Sequence, residues 1–165
     1  MAFQTSIAAD IVSGYIGELS HKGPMRAIPA RIAADATQAN CLVGRAYTYA
    51  DEAAETVRPG GTGQFAGILI SPKSYPRQDL YDDTLDIPLN SIVQLLQMGY
   101  VFVQIASAGA SIGSSLVYHT TTGALDWTDT PGTPPSNHAL VPNAIIDRHM
   151  PSSATPRLAL VKLTN

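Results

Sequence analysis

Between residues 43 and 163 the chain keeps repeating one pattern. A short run of branched, aromatic or small apolar residues is followed by a turn built from Gly, Pro, Ser or Thr. Runs of this length suit strands and are too short for independent helices. They recur at intervals of about 8–15 residues, the spacing of sandwiches and small barrels. No alternation of strand with long helix is visible, so a parallel α/β sheet is not expected. The pattern predicts a mainly β fold, a small sandwich or barrel of jelly-roll or β-tulip type.

The individual runs predict strands over residues 42–49, 65–70, 116–119, 125–127, 141–148 and 158–163. Residues 92–98 and 100–105 read as a pair of buried strands with Gly99 as a bulge or kink between them. Residues 51–56 suit a helical turn that Arg58-Pro59-Gly60-Gly61 ends. Polar, Tyr-containing residues 74–83 and Pro-rich residues 130–135 read as surface loops. Residues 1–40 differ: they are Ala-rich and weakly patterned, with a helix possible over 6–11 and a strand over 25–28. The expected organisation is an extended N-terminal arm, residues 1–40, on a β domain, residues 41–165. Such arms are stabilised only by docking on something.

Charge narrows the class further. Only 14% of residues are charged, against roughly 25% in ordinary soluble domains. A surface this poor in charge either relies on Ser, Thr, Gln and Asn or is hidden against other chains. Net charge is −3 and the basic residues are scattered, which is not the footprint of nucleic-acid binding. Residues 1–20 lack the basic and apolar regions of a secretory signal, and no run is long enough to span a membrane. The product is expected to stay in the cytoplasm where it is made or to be packaged into an assembly. Cys41 is the sole cysteine, so no internal disulfide forms, and its apolar surroundings read as packing.

Each motif capable of chemistry has a plainer reading. Gly109-Ala110-Ser111-Ile112-Gly113 fits the nucleophile pattern of hydrolases, but a helix must follow it, and here a strand-like run follows. His21, His119, His138 and His149 show no ligand spacing, and His138 and His149 read as polar residues in or beside loops. Asp126-Trp127-Thr128-Asp129 lacks the late Glu of a calcium loop. Trp127 is either core packing at a strand end or an interface anchor. Glycines 60, 61 and 63 lack the Lys-Ser/Thr of a phosphate loop. Asp79, Asp82, Asp83 and Asp86 read as a solvated acidic turn or a face for a basic partner. No catalytic, cofactor or metal residue is assigned, and the chain reads as a binding protein rather than an enzyme.

The order of the runs resembles the capsid cement, or decoration, proteins of tailed bacteriophages. The resemblance is carried by Gly-Tyr-Ile-Gly-Glu-Leu at 14–19, Leu-Val-Gly-Arg-Ala-Tyr-Thr-Tyr at 42–49 and Phe-Ala-Gly-Ile-Leu-Ile at 65–70. It continues through Gly-Tyr-Val-Phe-Val-Gln at 99–104, Ala-Ser-Ile-Gly-Ser-Ser-Leu-Val-Tyr at 110–118 and Thr-Thr-Gly-Ala-Leu at 121–125. Pro-Asn-Ala-Ile-Ile-Asp at 142–147 and Leu-Ala-Leu-Val-Lys-Leu at 158–163 close it. The stretch 89–98, the Pro-rich 131–135 and Ser114, where the family more often has an acidic residue, depart from it. The resemblance implies a structural protein on the outer surface of the phage head, bracing adjacent major capsid subunits of the expanded lattice. It implies a homotrimer or homodimer that binds neither nucleic acid nor membrane. Phe3, Ile7, Tyr15 and Ile16 are the apolar anchors expected to touch capsid or a second copy, with Trp127 as a further candidate. Rival readings are another virion component of the tail or head–tail connector, a small serine hydrolase using Ser111, and a glycan-binding module using Trp127.

Overall fold

The computed structural model describes residues 14–20, 23–71, 87–130, 133–148 and 157–164. Among these lie nine strands: β1 (Arg26–Ile32), β2 (Ala46–Asp51), β3 (Thr56–Pro59), β4 (Phe65–Leu69), β5 (Ile92–Gln104), β6 (Ser115–His119), β7 (Leu125–Thr128), β8 (His138–Ile146) and β9 (Leu158–Leu163). They form a single sheet in the order β1-β3-β2-β4-β5-β9-β8-β6-β7, with an extra pairing of β1 to β5. The mainly β, barrel-type fold is present, but the sheet closes on itself twice instead of stacking as two layers. The helix considered over 6–11 and the loop over 74–83 lie outside the described residues.

β5 is the strand both rings share. Its first half pairs antiparallel with β1, from Met98 opposite Arg26 to Ile92 opposite Arg31. Leu95 and Leu96 pair with β4 on the other side. β4, β2 and β3 then lead back to β1, closing a ring of five strands. From Gly99 to Gln104 the same strand pairs with β9. β8, β6 and β7 follow, and a parallel bridge from Ile105 to Leu125 closes the second ring. The two apolar runs expected as separate strands are therefore one. Gly99, with φ +128°, stands where the strand changes partners: hydrogen bonding passes from β1 to β9 while the backbone stays extended.

Each ring has its own core. Ile32, Tyr47, Val57, Leu69, Val93 and Leu95 fill the first, and Val101, Val103, Leu116, Val141, Ile146 and Val161 fill the second. Ala46, Ile68 and Leu96 face each other in register across β2, β4 and β5, yet all belong to the second core. The outer wall of the first ring is thus the surface against which the second packs. A wall buried on both faces loses its polar alternation, and β4 is buried without a break from Ala66 to Leu69. That explains the uninterrupted run at 65–70 in the sequence.

Two elements differ from expectation. The Arg-Pro-Gly-Gly read as a terminator contains the end of β3, whose Thr56, Val57 and Arg58 pair antiparallel with β2 and whose Thr56 and Val57 pair parallel with β1. Pro59 is tolerated because it lies beyond the paired residues of both registers, so its missing N–H removes no ladder bond. β8 begins at His138, directly after the loop and three residues before the strand expected at 141–148, with His138 opposite His119. β1 comes from residues that the sequence groups with the 1–40 segment.

Candidate functional site

Residues 14–20 lie across the second half of β5. Gly17 N–H donates to Phe102 C=O at 2.7 Å, Phe102 N–H to Glu18 C=O at 2.9 Å, and Ser20 N–H to Tyr100 C=O at 2.9 Å. Leu19 forms an antiparallel bridge with Val101 and packs against the second core. This is strand addition: main-chain bonds hold the segment while alternate side chains point apart. Gly14 lies over the Phe102 ring, which a Cβ at that position would overlap at 2.5 Å. Tyr15 and Glu18 form a turn, with Glu18 N–H donating to Tyr15 C=O at 3.0 Å and the Glu18 carboxylate accepting the Tyr15 N–H at 2.8 Å.

That turn presents the Tyr15 ring to solvent. It is 55% exposed, among the most exposed large apolar side chains of the described surface. Ile16 is half-buried and forms part of the wall of a cleft of about 500 Å³. Of the expected anchors, Tyr15 and Ile16 are therefore adjacent on one docked segment. Phe3 and Ile7 lie outside the described residues. Trp127 sits elsewhere, half-buried against the second core, with its indole N–H donated to Ser107 C=O at 3.1 Å. Asp126 accepts from both the backbone N–H and the hydroxyl of Ser107, so its carboxylate fixes the loop under the indole.

The two rings are fastened by the turn between β6 and β7. Ala46 N–H donates to Gly123 C=O at 2.9 Å, Gly61 N–H donates to Thr120 C=O, and Arg45 Nη1 donates to Thr122 C=O at 2.8 Å. Gly60 N–H in turn donates to Ala46 C=O at 2.9 Å. The approach is so close that a Cβ at Gly123 would lie 2.5 Å from the Ala46 carbonyl oxygen. Beneath it, burial pushes the Cys41 thiol and the Tyr47 hydroxyl up and the Arg45 guanidinium down from their ordinary values. A thiol held protonated and enclosed is a packing group.

Among the described residues, those considered for chemistry do not assemble; His21, His149, Asp79, Asp82, Asp83 and Asp86 lie outside them. Ser111 stands on a turn that leads into strand β6, not on the strand-to-helix corner a nucleophile elbow requires. Ser114 instead donates to Asp129 at 2.7 Å. His119 and His138 meet edge to face at 5.2 Å between ring centres, and no group of three or more His, Cys, Asp or Glu converges among the described residues. No helix of the described residues is long and apolar enough to cross a membrane.

Closed rings, a docked N-terminal segment and exposed apolar side chains define a structural module that acts through surfaces. Comparison with solved structures bears on the fold. One chain, from "The capsid of Myoviridae Phage XM1", superposes with a TM-score of 0.69 at 12% identity, covering 100% of this chain and 99% of that one. No curated protein matches. The family model described as structural cement protein (E217 gp24/Pam3 gp6) matches residues 3–164, and the chain belongs to that family. It is a structural virion protein that stabilises the phage capsid and resides on it.

Proposed function

We propose that this cement protein binds the outer surface of the phage head and braces adjacent major capsid subunits of the expanded lattice. We propose further that it does so as a homotrimer or homodimer. The observation that carries the reading is the docked N-terminal segment. Three main-chain hydrogen bonds to β5 hold residues 17–20, so Tyr15 is displayed on a rigid edge and contact there costs little ordering entropy. The segment preceding it contributes Phe3 and Ile7 to the same contact. A ligand that binds only the expanded lattice stabilises that state by mass action, about 2.7 kcal/mol per site at a hundredfold excess over Kd.

Co-sedimentation with capsids expanded in the absence of this protein tests the reading. The full chain saturates them. Tyr15→Ala combined with removal of residues 1–13 lowers occupancy severalfold while thermal unfolding stays unchanged. Undiminished occupancy by that variant would refute the placement of the contact. Light scattering across a dilution series supplies the oligomer number, and a monomer at every concentration would refute the homo-oligomer.

A further inference from the structure

The cleft beside Ile16 combines apolar walls with two cations. Its apolar walls are Ile16, Val43, Ile105 and Leu125, and two guanidinium groups, Arg45 and Arg157, stand among them. Arg45 donates to Asn40 Oδ1 at 3.1 Å and to Thr122 C=O, and Arg157 donates to Ala106 C=O. Neither meets a carboxylate among the described residues, where the ion pair is Arg58 with Asp35 at 3.2 Å. Arg45 is half-buried, and burial lowers its hold on the proton. A cation in an apolar cleft with only neutral acceptors is electrostatically undersatisfied. A guanidinium fork matches a carboxylate above all other side-chain acceptors. The volume lies within the range of about 300–1,000 Å³ that holds a small ligand or a few residues of chain.

We infer that this cleft is a socket for an extended, mostly apolar segment of the major capsid protein that carries one Asp or Glu. The inference rests on the capsid-binding reading above and deepens it: Ile16, next to Tyr15 in the docked segment, lines the wall, and the arginine pair reads the charge. Charge complementarity selects this occupant, because a purely apolar segment would leave both guanidinium groups facing hydrocarbon.

The test uses the full chain and expanded capsids lacking it. Arg157 is exposed, so Arg157→Glu reverses the charge without opening the core. It is expected to weaken capsid binding roughly tenfold or more, while Arg157→Lys, which keeps the charge but loses the fork, is expected to weaken it less. Ala106→Phe fills the cleft without touching charge and is expected to weaken binding comparably, with thermal melts confirming that each variant is folded. A photoreactive side chain at Gln104, on the cleft wall, is expected to cross-link to an acidic segment of the capsid subunit. Wild-type affinity in both Arg157→Glu and Ala106→Phe would overturn the socket and leave the cement reading standing. A cross-link to residues 1–13 of this chain, which contain Asp10, would also overturn it. Failure of the wild-type chain to bind expanded capsids would overturn the cement contact itself.

Discussion

Replacing Gly123 by alanine tests whether the β6–β7 turn fastens the two rings. Gly123 has φ +71°, a backbone conformation costing an L-residue about 1–2 kcal/mol. The added Cβ would lie 2.5 Å from Ala46 O and 2.8 Å from Gly60 N. Both are backbone atoms of another element, so the turn has to withdraw. Withdrawal breaks the bonds from Ala46 N–H to Gly123 C=O, from Gly61 N–H to Thr120 C=O, and from Arg45 to Thr122 C=O. At about 1 kcal/mol for each of three bonds, the total is about 4–5 kcal/mol. For a chain of this size that lowers Tm by about 10–15 °C. The control is Gly113→Ala: φ is +90° but no atom lies within 4 Å of the new Cβ. It carries only the conformational cost of about 1–2 kcal/mol, or about 3–6 °C. Scanning calorimetry on the two variants separates crowding from backbone strain. A Gly123→Ala transition within about 3 °C of Gly113→Ala would mean the rings are held by side-chain packing alone.

Other consequences follow from the same geometry. Leu96→Ala, in the row buried between the rings, is expected to cost about 2–5 kcal/mol in denaturant unfolding. Tyr47 Oη is buried with no partner stronger than the neighbouring Cys41 thiol, so Tyr47→Phe is expected to leave stability unchanged or raise it by up to about 1 kcal/mol. Because burial raises the Tyr47 pKa, the folded state holds that proton more tightly than the unfolded chain. Its contribution is complete below the unfolded value of about 10 and is lost as pH rises above it. Tyr47→Phe is therefore expected to flatten the fall in stability above pH ~10, read by denaturant melts at stepped pH. Removing residues 1–20 uncovers the backbone groups of Tyr100 and Phe102 and is expected to cause self-association in light scattering, whereas removing 1–13 is not.

The sequence showed what depends on local pattern and missed what depends on distant approach. β9 was legible to the residue, because its run at 158–163 is apolar and bounded by turn residues. β3 was not, because four residues containing Arg and Pro carry no strand signature until β1 and β2 are placed beside them. One strand at 92–104 looked like two because Gly99 interrupts the side chains but not the backbone hydrogen bonding. For the candidate site, Tyr15 and Ile16 were named through the family's order of segments, with no periodicity to mark them, and the structure sets them side by side on the docked segment. The cleft was invisible: Arg45 and Arg157 lie far apart in the sequence, and only the closed rings bring them to one cleft. The fastening turn left a trace in Thr-Thr-Gly, read as a tight turn, but its partner Ala46 contributes backbone alone.

The double ring also suits the work of a brace. A sheet that ends in open edges invites pairing between copies, a hazard when many copies stand close together on a lattice. Here closure removes the edges of both rings, and residues 17–20 cover the stretch of β5 that closure leaves open. Low charge acts in the same direction. At physiological salt the screening length is about 8 Å, so neighbours in near contact still feel one another's charge. A net charge of −3 over 165 residues keeps that repulsion small as a lattice fills. On the proposals above, recognition falls to an exposed tyrosine and a pair of arginines in an apolar cleft, set on walls made rigid by two cores packed back to back.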